Sequence, residues 1–182
     1  MFQDKRIFTF LMLGALVLPM MMPPTASAQV PAIVTTGNLP QEISDLTPKD
    51  LAKFLKKNFH FENDSDLFGR IDYWQSPEEF YKRRAGDCED FALFTNYVFK
   101  MQGIESVVVS LYDGSGYGHT VTLFKENGKW NLMNEDRVYF YHASSVEEVL
   151  TLIHPLWTWA AVAKQSGNFG EAVKKIRNPN LA

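Results

Sequence analysis

The stretch RRAGDCEDFALF, Arg83 to Phe94, holds the only cysteine of the chain, Cys88. Asp87 and Glu89 flank it and Asp90 follows. Acidic neighbours make a thiol harder to ionise, so the placement needs a reason. A thiol nucleophile needs a base, and the base needs a group to orient it. Four histidines are available. His60, His142 and His154 lie in contexts that suit surface or packing roles. His119 differs, because it follows the glycine-rich run DGSGYG and opens an apolar, β-branched stretch. A glycine-rich loop before a strand lets the backbone approach a neighbour closely. This loop joins two strands and opens no helix, so it is not a phosphate-binding loop. Beyond Trp130, the run NLMNED offers Asn134 and Asp136. They share strand parity, so either could face the imidazole.

The elements that must position these residues are legible from their end signals. TPKDLAKFLKKNF starts a helix, with Thr47 as N-cap and Pro48 at the first helical position. SPEEFYKRR repeats the signal as a capping box of Ser76 and Glu79. A central helix runs from about Cys88 to Gln102, with Phe91, Ala92, Thr95, Val98 and Phe99 on one face and Gly103 as its stop. Cys88 then sits in its first turn, where unpaired N–H groups and the helix dipole favour an anion. Asp87 suits the N-cap, and Glu89 and Asp90 complement the dipole. Adjacent helical residues diverge, so these carboxylates need not touch the sulfur.

Four short β-branched or aromatic runs follow, IESVVVSLY, HTVTLFKE, KWNLMNE and RVYFYHA, with the hairpin signal Asn127-Gly128 between the second and third. They predict an antiparallel meander. SSVEEVLTLI predicts one more capped helix. Trp157 and Trp159 read as packing, with partner binding as the alternative. Helices first, a central helix, then a meander make an α+β domain.

With 182 residues, 46% of them hydrophobic, and a net charge of -3, the chain suits one domain with accessory pieces. No basic stripe invites nucleic acid. Lys5 and Arg6 precede an apolar run, Ile7 to Met22, and then Ala26-Ser27-Ala28. This is the layout of a secretory signal peptide. The reading is a signal peptide at 1–28, an extended lead-in at 29–45, the domain at 46–165 and a polar tail at 166–182. No later run is long enough to span a bilayer, so the expected location is periplasmic or secreted. Outside the cytoplasm a lone cysteine is either an inert packed residue or a free reactive thiol.

Cysteine, histidine, then amide or acid, spread over helix, strand and strand, is the order of a papain-like nucleophile set. The runs DYWQSPEEFYKRRAGDCEDFALF, GYGHTVTLF and KWNLMNED resemble the bacterial transglutaminase-like cysteine proteinases, in the transglutaminase-like branch of the papain-like superfamily. The resemblance covers roughly Asp72 to Glu135. It implies a central helix packed on an antiparallel sheet, and a triad acting on peptide or glutaminyl acyl groups. Carried over, Cys88 matches the nucleophile and His119 the base. The third position falls at Asn134, where the family usually has Asp; Asp136 is the alternative. Trp74 or Gln75 is expected to help hold the oxyanion. Part of the family binds calcium through acids beside the cysteine, which gives Asp87 and Glu89 a role and would relieve their effect on the thiol.

DSDLFG, Asp64 to Gly69, only begins like an EF-hand. Phe68 stands where a ligand should and Gln75 replaces the closing Glu. It reads as a turn outside any calcium site. The functions left open are a cysteine peptidase, a transamidase sharing its acyl-enzyme, and a catalytically inactive binding module. Each takes a protein or peptide partner.

Overall fold

The computed structural model describes Ile43, residues 45–163 and residues 173–181. The signal-peptide reading at 1–28 and nearly all of the lead-in lie outside these residues. No helix among the described residues is long and apolar enough to cross a membrane.

Helix α1 (Pro48–Asn58) starts where its cap requires, with Thr47 Oγ1 accepting from the Asp50 N–H at 3.2 Å. A two-residue strand β1 (His60–Phe61) and a short helix α2 (Asp64–Phe68) follow. The predicted turn at Asp64 is thus one helical turn, closed by Gly69 in the left-handed region at φ 63°. Helix α3 (Pro77–Arg83) has its capping box complete: Ser76 Oγ accepts from Glu79 N at 3.2 Å and Glu79 Oε2 from Ser76 N at 2.8 Å. Strand β2 (Ala85–Gly86) pairs in parallel with β1 and delivers the chain to the central helix α4 (Cys88–Met101).

Beyond α4 come β3 (Ser106–Tyr112), β4 (Gly118–Glu126), β5 (Lys129–Asn134) and β6 (Arg137–Ala143), then helix α5 (Val146–Ile153), β7 (Trp159–Ala163) and β8 (Val173–Arg177). The last six strands form one antiparallel sheet in the order β6-β5-β4-β3-β7-β8. The meander is therefore four strands of six. The tail reading at 166–182 needs correction, because Val173–Arg177 is the edge strand of the sheet. Its three cations, Lys174, Lys175 and Arg177, are exposed and hide the apolar contact of Ile176, which is buried between two of them.

Alternation along the strands divides the core. On one face Phe91, Phe94, Val98 and Phe99 of α4 meet Leu51 and Leu55 of α1, Phe80 of α3, and Phe124 and Met133 of the sheet. Each fully buried Phe contributes roughly 1.5–3 kcal/mol, which anchors α4 across the sheet centre. On the other face Val109, Leu111, Val121, Leu123 and Leu132 meet α5 and Trp157. Trp157 is fully buried, as packing requires. Polar ties set the height of α4 on the sheet: Thr122 Oγ1 donates to Ala92 O at 2.6 Å, and Ser106 Oγ to Asn96 Oδ1 at 2.8 Å.

Candidate active site

Two supports place the start of α4. Behind it, Gln75 is 1% exposed and fully engaged. Its backbone N–H donates to Asp90 Oδ1 at 2.8 Å, and its side-chain Nε2 donates to Asp90 Oδ2 at 2.6 Å and to Ala85 O at 2.9 Å. Its Oε1 accepts from Arg83 Nε at 3.1 Å. Burial pushes the Asp90 carboxyl up to about 7, while the Gln75 donors oppose that shift. Beside it, Gly86 leaves no room for a side chain: a Cβ there would stand 2.7 Å from Gln75 Nε2 and 2.8 Å from Asp90 Cβ. Gly86→Ala must displace the buried pair. It is expected to cost about 2–4 kcal/mol, by overpacking and loss of buried hydrogen bonds, read as a lower midpoint in urea.

Asp87 occupies the N-cap position with extended backbone, φ -104° and ψ -161°, but its side chain makes no capping bond. The Cys88 Sγ–H donates to Glu89 Oε2 at 3.1 Å. The expectation that the flanking acids stand clear of the sulfur therefore fails. In the first turn no preceding helical turn blocks the side chain, so Glu89 folds back. Burial, then the Glu89 charge and hydrogen bond, push the thiol well above its ordinary range. The backbone N–H of Thr120 on β4 also reaches the sulfur and opposes the rise.

His119 immediately precedes Thr120 on β4. Its Nε2 donates to Asn134 Oδ1 at 2.8 Å. With the proton on Nε2, Nδ1 carries the lone pair. Asp136 is not in the strand. It lies in the two-residue turn joining β5 to β6, with Oδ1 3.7 Å from Arg137 Nε. The shared parity assumed for Asn134 and Asp136 ends with the strand at Asn134. The loop before His119 is organised by Asp113, whose Oδ1 accepts from Ser115 N at 2.8 Å and Tyr117 N at 3.1 Å. His154 Nε2 donates to Asp113 Oδ2 at 3.1 Å, and His60 Nε2 pairs with Glu62 at 3.1 Å. His142, one residue before the end of β6, is exposed.

Neither proposed oxyanion side chain has a donor to spare. Both Gln75 Nε2 hydrogens are taken, and Trp74 Nε1 donates to Asp72 Oδ1 at 2.9 Å. Trp74 packs on Ala92, Leu93 and Val108. A spacing argument could not separate a buried amide that builds the site from one that serves it.

The acids beside Cys88 are joined by others. Oxygens of Asp64, Asp87 and Asp90 lie within 4.8 Å of one another, as do those of Asp64, Asp72 and Glu89, and the ligand atoms of Asp87, Cys88 and Glu89. Asp64 is buried by α2, and its Oδ2 accepts from Tyr73 N. Asp64 Oδ1 and Asp87 Oδ1 are buried with no hydrogen-bond partner among the described residues. Burial first, then Asp87, raise Glu89 to about 9. Crowded carboxylates with two unpartnered buried oxygens fit a cation of the calcium type, which takes oxygen donors. The cluster reaches beyond Asp87 and Glu89 to Asp64 and Asp72, although the sequence sets Asp64 apart in a turn of its own. A single turn of helix, not an EF-hand loop, brings it in.

Tyr112 was not singled out from the sequence. Its ring lies over Gly118, where a Cβ would stand 3.1 Å from Cε1, and stacks on Trp159 at 4.0 Å between centroids. Asp72, Glu89 and Cys88 all help raise its phenol, after burial. The signal was an aromatic just ahead of the glycine loop.

A profile of the transglutaminase-like domain matches residues 36–149, which include Cys88, His119 and Asn134. The chain belongs to the transglutaminase-like domain family, and its central helix packs on an antiparallel sheet. No curated protein sequence matches it. Among solved structures it is similar to calcium-bound LapG of Legionella pneumophila, at 19% identity over 72% of this chain and 70% of that one, with a TM-score of 0.48. EGTA-treated LapG gives 18% identity over 76% of this chain and 71% of that one, with a TM-score of 0.47. A structure titled as a TGase gives 14% identity over 56% of this chain and 34% of that one, with a TM-score of 0.39.

Proposed function

We propose that the chain is an exported cysteine peptidase, with Cys88 as nucleophile, His119 as base and Asn134 as the group that orients the imidazole. The observation that carries this reading is the His119 Nε2–Asn134 Oδ1 bond at 2.8 Å, one residue from the strand N–H that meets the Cys88 sulfur. That bond leaves the Nδ1 lone pair to take the thiol proton. The thiolate then adds to a peptide or side-chain amide carbonyl. Collapse expels the amine, which takes the proton from His119 and leaves a thioester on Cys88. Water, deprotonated by His119, releases the acid and restores the thiol. Backbone N–H groups at the start of α4 are the oxyanion donors. Export rests on the signal-peptide pattern, and mature protein beginning at Gln29 would support it.

Asp64, Asp72, Asp87 and Glu89 are the residues that would hold calcium. Bound there, the cation supplies positive charge that offsets the carboxylate field on the sulfur. Calcium at a hundredfold excess over its dissociation constant is expected to stabilise the fold by about 2.7 kcal/mol. Asp64→Ala and Asp87→Ala should each weaken that gain in thermal melts, while Asp136→Ala should leave it intact. An unmoved melting curve with calcium would remove the site.

The function is tested by incubating purified protein, with and without calcium, with a mixture of exported proteins and a fluorescent primary amine. New fragments with free termini support the peptidase. Incorporation of the amine without fragments makes it a transamidase through the same acyl-enzyme. Neither product, with no labelling of Cys88 by iodoacetamide below pH 8, makes it a binding module.

A further inference from the structure

The sheet continues past the active site, and its far half carries charge of the opposite sign. Register partners align Gly118, Tyr112, Trp159 and Arg177 in one row across β4, β3, β7 and β8. The next row is Thr120, Ser110, Ala161 and Lys175. Thr120 is the residue whose N–H meets the Cys88 sulfur, so both rows begin at the strand that meets the nucleophile.

Alternation decides which face these side chains take. Leu111, Ala160 and Ile176 pack with α5 on the far face. Tyr112, Trp159, Ala161, Lys175 and Arg177 therefore point to the face that carries α4 and Cys88. Ring contacts agree: Tyr112 stacks on Trp159, and Lys175 Nζ lies 5.0 Å from the Trp159 ring centroid. Helix α4 sits over the middle strands, through Thr122, Ser106 and Val108. At β7 and β8 Trp159 is only half-buried, and Lys175 and Arg177 are exposed. A groove of about 500 Å³, lined by Trp159, Lys175, Arg177 and Leu181 among others, opens there. Among the described residues no carboxylate pairs with either cation.

We infer that this shelf is a specificity subsite that takes an acidic stretch of the polypeptide substrate. The inference rests on the peptidase reading of Cys88 and names the substrate class for it. Strands lie about 4.8 Å apart, so the row from Gly118 to Arg177 spans about 14 Å. An extended peptide covers that distance in about four residues. Aspartate or glutamate about four residues from the scissile bond therefore reaches Lys175 and Arg177, while the chain between crosses the Tyr112–Trp159 platform.

The test separates binding from turnover. Two fluorescein-labelled decapeptides of glycine and serine, one carrying Asp-Asp-Glu and the other Lys-Lys-Lys, are titrated by anisotropy into full-length protein. A random decapeptide mixture is digested in parallel and its products sequenced by mass spectrometry. The acidic peptide is expected to bind about tenfold tighter at low salt, with the margin closing as salt rises. Lys175→Gln/Arg177→Gln should abolish the margin, and Lys175→Glu/Arg177→Glu should invert it. Products should be enriched in Asp or Glu about four residues from the cut. Equal binding of the two peptides, or a margin that survives the neutral double variant, overturns the subsite. Cleavage without acidic enrichment also overturns the subsite and leaves the peptidase standing. An intact acidic margin with no cleavage supports the shelf as an acidic-peptide site and overturns the peptidase reading.

Discussion

Purified Cys88→Ala is expected to lose turnover by about 10⁴-fold or more and to keep its fold. The lost atom is the only thiol in the chain. Alanine is the best helix former, and the position is in the first turn of α4, where no intrahelical N–H bond is at stake. The structural debit is one S–H donor to Glu89, about 1 kcal/mol for an ordinary net hydrogen bond. His119→Ala should be nearly as severe. Nucleophile and base act as one unit, so the double variant should be no worse than the worse single one. That non-additivity is the more demanding measurement. If the two losses multiply, the residues act independently and no proton passes between them. Retained turnover in Cys88→Ala would dispose of the acyl-enzyme altogether.

Asn134→Ala should lower activity by about ten- to a thousandfold, a loss of about 1.4–4 kcal/mol of barrier stabilisation. Without Oδ1, nothing holds the proton on Nε2, and the tautomer with Nδ1 free is no longer enforced. Asn134→Asp keeps an acceptor at the same position and adds a charge that favours imidazolium. It should preserve or raise activity. Asp136→Ala should matter much less, since that carboxylate is turned toward Arg137. Inactivation by Asp136→Ala with Asn134→Ala silent would mean that the hairpin rearranges in the working enzyme. Silence from both, with Cys88 essential, would leave a dyad.

How much of this could be read from the sequence depends on how local the cause is. Thr47, Pro48, Ser76 and Glu79 announce their helices because a cap is satisfied within four residues. The contact of His119 with Asn134 could be read because one hairpin, Asn127-Gly128, folds their two strands together over a short span. Asp64 could not be assigned, since its partners Asp72, Asp87 and Glu89 reach it only through the folded β1–β2 pairing. Gln75 looked like an oxyanion donor until its two N–H groups were seen to be spent on Asp90 and Ala85. The edge strand at Val173 was masked by its charges. Ile176, buried within it, makes sense only beside Ala160 on β7, a pairing that no local periodicity reveals.

The backbone N–H of Gln75 has a kinetic consequence. It belongs to an irregular segment between α2 and α3, the kind of place where amides normally trade hydrogen for deuterium quickly. Yet it is held by the buried carboxylate of Asp90, in the first turn of α4. For that amide to meet solvent, the first turn of the helix must lift as well. Gln75 should therefore exchange on the clock of the central helix. The segment carrying Asp72 and Trp74 and the turn carrying Cys88 then open together or not at all, as a single cooperative unit.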